Sequence, residues 1–167
     1  MRFYRHDDIE APPASWGRGE GPLATNGGLM SVKTVESFIG ALRNLEASRE
    51  MEAVVSTFAE DCELGNAATP KRFNGREGAR EFWRQYRDTF GEMKSTFRNV
   101  IATENRAALE WATEGTIHAG AVVNYEGVSI LELEGGVIKR FHAYFDSKEL
   151  SGQIVKEAKA WAVGGSQ

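Results

Sequence analysis

From Ser31 onward apolar residues recur at helical spacing, with Val35, Phe38, Ile39, Leu42 and Leu45 on one stripe behind the capping candidates Ser31 and Thr34. This stripe predicts an amphipathic helix. Met51, Val54, Val55 and Phe58 repeat the pattern over a shorter stretch that stops before Asp61, and Cys62 to Leu64 then read as the start of a short strand. After the turn residues Asn74 and Gly75, the residues Ala79, Phe82, Trp83, Tyr86 and Phe90 sit at i, i+3, i+4, i+7 and i+11, a face wide enough to cover a sheet. Beyond Met93 the period falls to 2 and predicts four strands near 95–102, 106–118, 122–133 and 137–145, with turns at Asn105, Gly120 and Gly135–Gly136. Turns this short join antiparallel neighbours, so helices followed by a curved antiparallel meander read as an α+β fold. A last helix is expected from about Lys148 to Trp161, with Asp146 or Ser147 as its cap and Glu149 placed as in a capping box.

The first thirty residues lack such periodicity. They hold three of the four prolines (Pro12, Pro13, Pro22) and are expected to be a flexible leader outside the fold, with Met30 an alternative start and residues 31–167 the domain. A chain of 167 residues, 41% of them hydrophobic, is enough for one domain that needs no disulfide or metal to hold it. Twenty basic against 24 acidic residues, a net charge of −4 with both signs spread throughout, offers no basic stripe for nucleic acid. Cys62 is the single cysteine, and no His or Cys repeat falls at zinc spacing, so no metal is expected and a cytoplasmic setting is. No signal-peptide core and no membrane-spanning apolar run are visible in the sequence. A nucleotide-binding glycine fingerprint is likewise missing, so no cofactor is expected.

Alternation sorts the long second strand into Leu109, Trp111, Thr113 and Ile117 on one face and Glu110, Ala112, Glu114, Thr116 and His118 on the other. The last strand divides into Val137, Phe141, Ala143 and Phe145 against Arg140, His142, Tyr144 and Asp146. Both faces carry bulky groups, so alternation leaves open which one is interior.

Four motifs occur in order: Phe58-Ala59-Glu60-Asp61, Gly75-Arg76-Glu77, Gly115-Thr116-Ile117-His118 and Ala143-Tyr144-Phe145-Asp146. With them the chain resembles the nuclear transport factor 2-like superfamily in its SnoaL-like branch, over roughly residues 34–150. The resemblance implies a cone-shaped fold in which three N-terminal helices and a strongly bent antiparallel sheet enclose an apolar pocket. It also implies a homodimer through the outer sheet face.

Ketosteroid isomerase, limonene epoxide hydrolase and the polyketide cyclases are relatives in that superfamily. Matching the shared motifs puts the isomerase's general base on Asn66, its tyrosines on Leu42, Phe58 and Trp83, and its acidic donor on Ser129. None of these residues can do that chemistry, because Asn66 has no basic lone pair with which to take a proton from carbon. The hydrolase's arginine and two aspartates fall on Glu110, Ala112 and Ala143, which rules out its water-activating pair as well. Scytalone dehydratase-like chemistry needs a histidine and tyrosine set, of which only His118 can be placed.

In the family's orientation Glu110, Ala112, Glu114, Thr116 and His118 face the pocket, with Ser129 and Leu131 on the next strand and Phe141, Ala143 and Phe145 on the last. An acid held in an apolar cavity is biased toward proton transfer near neutrality, so Glu114 or Glu110 is the expected proton-transfer residue, with His118 or Ser129 polarising an oxygen. At the usual strand rise the two acids stand about 13 Å apart, too far for a dyad. Asn66, Trp83, Ser129, Phe141 and Phe145 are the expected ligand-binding residues. His142 is read as an outer-face residue and Cys62 as a buried, inert thiol. Lys71 and Arg72 are read as an exposed loop or a gate at the cavity mouth. Two functions stay open: an isomerase, cyclase or lyase moving a proton on a small, mainly apolar carbonyl compound, or a non-catalytic dimeric module that binds a hydrophobic ligand.

Overall fold

A computed structural model of the protein describes residues 26–117 and 120–164, with side chains for 27–117 and 120–155 of these. The expected first helix is α1 (Asn26–Ser48), and it starts before Ser31. Residues 1–25 of the expected leader lie outside the described residues, whereas 26–30 form the first turn of α1. Ser31 and Thr34 are accordingly interior helix residues and not caps. Their hydroxyls donate across the molecule, Ser31 to the Glu104 carbonyl and Thr34 to the Gly136 carbonyl at 2.8 Å, and so pin α1 over two strand turns.

One turn, α2 (Glu52–Val55), follows, then β1 (Phe58–Asn66), β2 (Thr69–Asn74) and α3 (Gly75–Thr89). The meander is β3 (Phe90–Ala102), β4 (Arg106–Ile117), β5 (Val122–Glu134) and β6 (Val137–Phe145), and α4 (Ser147–Gly164) ends the described chain. Asp146 caps α4, accepting from the Lys148 and Glu149 amides at 2.9 and 3.0 Å. No described helix is long and apolar enough to cross a membrane.

The six strands form one curled sheet in the order β2-β1-β6-β5-β4-β3. This is the expected α+β architecture with three corrections. Phe58, read with the second helix, instead opens β1, four residues before the expected strand start at Cys62. β2 was not foreseen, because Thr69, Pro70, Lys71, Arg72 and Asn74 read as loop and only Phe73 of the strand is buried. The sheet is also not wholly antiparallel: β1 runs parallel to β6, with Leu64 beside Phe141 and Asn66 beside Ala143. The long crossover between these two strands permits that pairing, and it seats the helical N-terminal half on the meander.

The core lies between the concave face of the sheet and α1 and α3. Phe38 and Leu42 of α1 and Phe82 and Trp83 of α3 meet Phe58, Leu64, Leu131, Ile138 and Phe141 there. Trp83 and Phe141 pack with ring centroids 5.5 Å apart, and Phe38 and Phe141 at 5.6 Å.

Candidate active site in the cone

On β4 the buried positions are Ala107, Leu109, Trp111 and Thr113, so the odd-numbered side chains face the concave interior. Strand register extends this layer across the sheet. Ser95 and Phe97 stand opposite Thr113 and Trp111, Tyr125 opposite Thr113, Ser129 opposite Leu109, and Ala143 and Phe145 opposite Ser129 and Gly127. Gly127 leaves room for the Trp111 indole, since a Cβ there would sit 2.8 Å from Trp111 Cζ2. The helices and the sheet do not close completely. A cavity of about 260 Å³ remains, walled by Phe38, Phe82, Trp83, Trp111, Phe141 and Phe145 among other aromatic and aliphatic side chains.

One wall of this cavity is polar, and it is built on a residue that the sequence analysis passed over. Glu46, on the last turns of α1, accepts from the Tyr86 hydroxyl at 3.0 Å, the Ser95 amide at 2.9 Å and the Ser95 hydroxyl at 2.6 Å. Ser95 Oγ lies 2.8 Å from Thr113 Oγ1. Tyr86, Ser95 and Thr113 line the cavity, and Glu46 stands directly behind them. Burial, and then the Glu46 charge, push the Tyr86 hydroxyl well above the ordinary tyrosine range, and the same two causes raise Tyr125. Both phenols are therefore protonated at neutral pH. The signal for Glu46 was present in the sequence, because it falls four residues after Leu42 and seven after Ile39, on the buried stripe of α1, where a carboxylate is out of place without donors.

The five expected ligand-binding residues, Asn66, Trp83, Ser129, Phe141 and Phe145, all line this cavity. Ser129 Oγ accepts from Trp111 Nε1 at 3.0 Å, whereas Trp83 Nε1 is buried with no hydrogen-bond partner among the described residues.

The expected inward acids are corrected. Glu110 and Glu114 occupy the even positions of β4 and point away from the cavity: Glu110 accepts from Asn99 Nδ2, and Glu114 is exposed opposite Lys94 and Asn124. Ala112 and Thr116 go with them. The error was one of parity, since Ser129 and Phe141 share a face with Leu109 and Trp111 and not with Glu110. His118 lies outside the described residues. Lys71 lies 4.4 Å over the Phe73 ring and Arg72 pairs with Glu63 at 3.8 Å, and neither lines the cavity. Cys62 is buried, and burial raises its thiol pKa. No three His, Cys, Asp or Glu side chains converge as a metal site among the described residues.

His142 sits on the opposite side of the sheet from the cavity, only 5% exposed, with Nδ1 unpartnered among the described residues and lying over Gly65. Desolvation first, then the Arg72 and Arg140 charges, lower its pKa from the ordinary 6.5, against Glu63, which raises it. A lowered pKa means that the unfolded chain binds the proton more readily than the folded one. The neutral ring's contribution is therefore fully present above pH 6.5 and is lost as pH falls through the folded value. Urea unfolding at about pH 7.5 and about pH 5.5 is expected to show a smaller loss of stability in His142→Gln than in wild type. Identical losses in the two proteins would show that His142 is not a source of the pH dependence.

Comparison with known proteins gives one family and a common fold. The SnoaL-like domain matches residues 35–141. Among solved structures, a putative SnoaL-like polyketide cyclase from Jannaschia sp. CCS1 is similar at a TM-score of 0.67 and 16% identity, covering 83% of this chain and 97% of that one. A putative isomerase from Rhodopseudomonas palustris reaches 0.67 at 15% identity, over 74% and 96% of the two chains. A limonene epoxide hydrolase-like epoxide hydrolase from M. tuberculosis reaches 0.64 at 17% identity, over 83% and 98%. At these identities the likeness is one of fold. No curated protein matches the chain.

Proposed function

Because the chain belongs to the SnoaL-like domain family, we propose that it is a small-molecule pocket protein that holds a mainly apolar carbonyl compound in the cone and moves a proton on it with its own side chains. The observation that carries this reading is the aromatic cavity with one polar wall backed by the Glu46 carboxylate. A proton leaving the carbon next to the ligand carbonyl bonds to Tyr86 Oη while the Tyr86 proton passes to Glu46 Oε1. The electron pair moves onto the carbonyl oxygen, and the enolate is held by hydrogens from Ser129 and Trp83. Tyr86 touches the ligand in this scheme, and Glu46 acts through it as a positioning and proton-accepting residue.

A second reading has its own support: no carboxylate lines the described cavity, which suits a module that only binds. 1-Tetralone, an apolar two-ring ketone, separates the two. Proton transfer predicts that the protein accelerates exchange of the tetralone α-hydrogens in D2O at least about tenfold over buffer, and that Tyr86→Phe returns the rate to background. Quenching of tryptophan fluorescence by tetralone without faster exchange would support the binding module. The absence of both quenching and exchange would overturn the pocket reading itself.

A further inference from the structure

The hydroxyl groups of the polar wall have their hydrogens committed. A carboxylate only accepts, so Tyr86 and Ser95 must both donate to Glu46. With the Ser95 hydrogen spent in that direction, the 2.8 Å contact between Ser95 Oγ and Thr113 Oγ1 can be made only by the Thr113 hydrogen. Tyr86 directly, and Thr113 through Ser95, thus turn their hydrogens toward one half-buried acid. What they present to the cavity is lone pairs.

Two other polar groups of the lining have the opposite character. Ser129 Oγ already accepts from Trp111, which leaves its own hydrogen for another acceptor, and Trp83 Nε1–H, in a side chain 3% exposed, has no acceptor among the described residues. A buried donor without a partner is costly, so a ligand that fits this cavity supplies an acceptor for Trp83 and uses the spare hydrogen of Ser129 and the spare lone pair of Thr113.

From this pattern we propose that the cavity selects a hydroxylated carbonyl compound, whose O–H donates to Thr113 Oγ1 and whose second oxygen accepts from Ser129 and Trp83. The proposal rests on the pocket reading above and narrows it from apolar carbonyl compounds at large to those carrying a phenolic or enolic hydroxyl. Thr113 is 3% exposed and sits on the central strand β4, so its lone pairs are fixed in direction and unavailable to bulk water. A methyl ether at the same place would set oxygen against oxygen. Raised tyrosine pKa values fit the scheme, since neither Tyr86 nor Tyr125 offers a phenolate to compete for the ligand's proton.

The test compares 1-naphthol, 1-methoxynaphthalene and naphthalene by calorimetric titration into the full chain. Naphthol is expected to bind about tenfold more tightly than its methyl ether, with naphthalene no better than the ether. In Thr113→Val that preference should fall to about twofold, and Thr113→Ser should restore it. Equal binding of all three compounds by wild type would overturn the proposal and leave the pocket reading intact, as would a full preference that survives in Thr113→Val. If none of the three binds, the pocket reading itself fails. The wild-type comparison decides the matter even if a variant does not fold.

Discussion

Phe58→Ala is expected to cost about 3–5 kcal/mol of folding stability, a large part of the roughly 5–15 kcal/mol available to a domain of this kind. Phe58 is 0% exposed and opens β1 where that strand meets β6, opposite Ile138. Its ring packs against Phe38, Phe141 and Trp83 with centroids 6.1, 6.2 and 6.4 Å away, so truncation leaves a void walled by large rigid rings that cannot collapse into it. Phe58 does not line the cavity, which makes the loss one of stability and not of ligand contact. Equilibrium urea unfolding should show the midpoint falling by about 2 M, whereas Phe58→Leu should lose less than about 1.5 kcal/mol. A loss below about 1 kcal/mol in the alanine variant would mean that the three rings repack into the space that Phe58 vacates.

The second large effect is expected at Glu46. Glu46→Leu removes the acceptor for the Tyr86 hydroxyl, the Ser95 hydroxyl and the Ser95 amide together. Each donor left unpaired in a largely dry site costs about 1–3 kcal/mol, partly recovered where water reaches the end of α1, so a net loss of about 2–4 kcal/mol is expected. Glu46→Gln keeps one acceptor oxygen and should lose about half as much. Tyr86→Phe alone should cost about 1 kcal/mol, and combining it with Glu46→Leu should cost clearly less than the sum, because the leucine has already abolished the shared bond. Additive losses would show that Glu46 and Tyr86 do not act as one unit. The proton path proposed for the cavity would then lose its structural basis.

Much of this architecture was legible in the chain. The four meander strands, α1, α3 and the Asp146 cap followed from period and capping chemistry alone, because each is a local property of ten or so consecutive residues. Part of the cavity lining was legible to the same degree: Phe141 and Phe145 share a strand face, and Trp83 lies on the apolar face of α3. β2 was not, since an edge strand with one buried residue in six carries no periodic signal. The N-terminal turn of α1 escaped for a related reason, because Ser31 and Thr34 resemble caps until their hydroxyls find carbonyls 73 and 102 residues away.

Alternation determined that Glu110 and Glu114 share one face of β4 and Trp111 and Thr113 the other. Which face became the interior was decided by pairing at long range. The register that sets Trp111 against Gly127, and Ser129 against Leu109 and Ala143, commits the odd-numbered layer to the side that α1 and α3 cover, and leaves both glutamates outside. A period of two assigns residues to faces and is silent about what packs on each. In the same way Glu46 reads in the chain as one acidic residue on a helix. It becomes the anchor of a polar wall only because the fold brings Tyr86 from α3 and Ser95 from β3 within hydrogen-bonding distance of it.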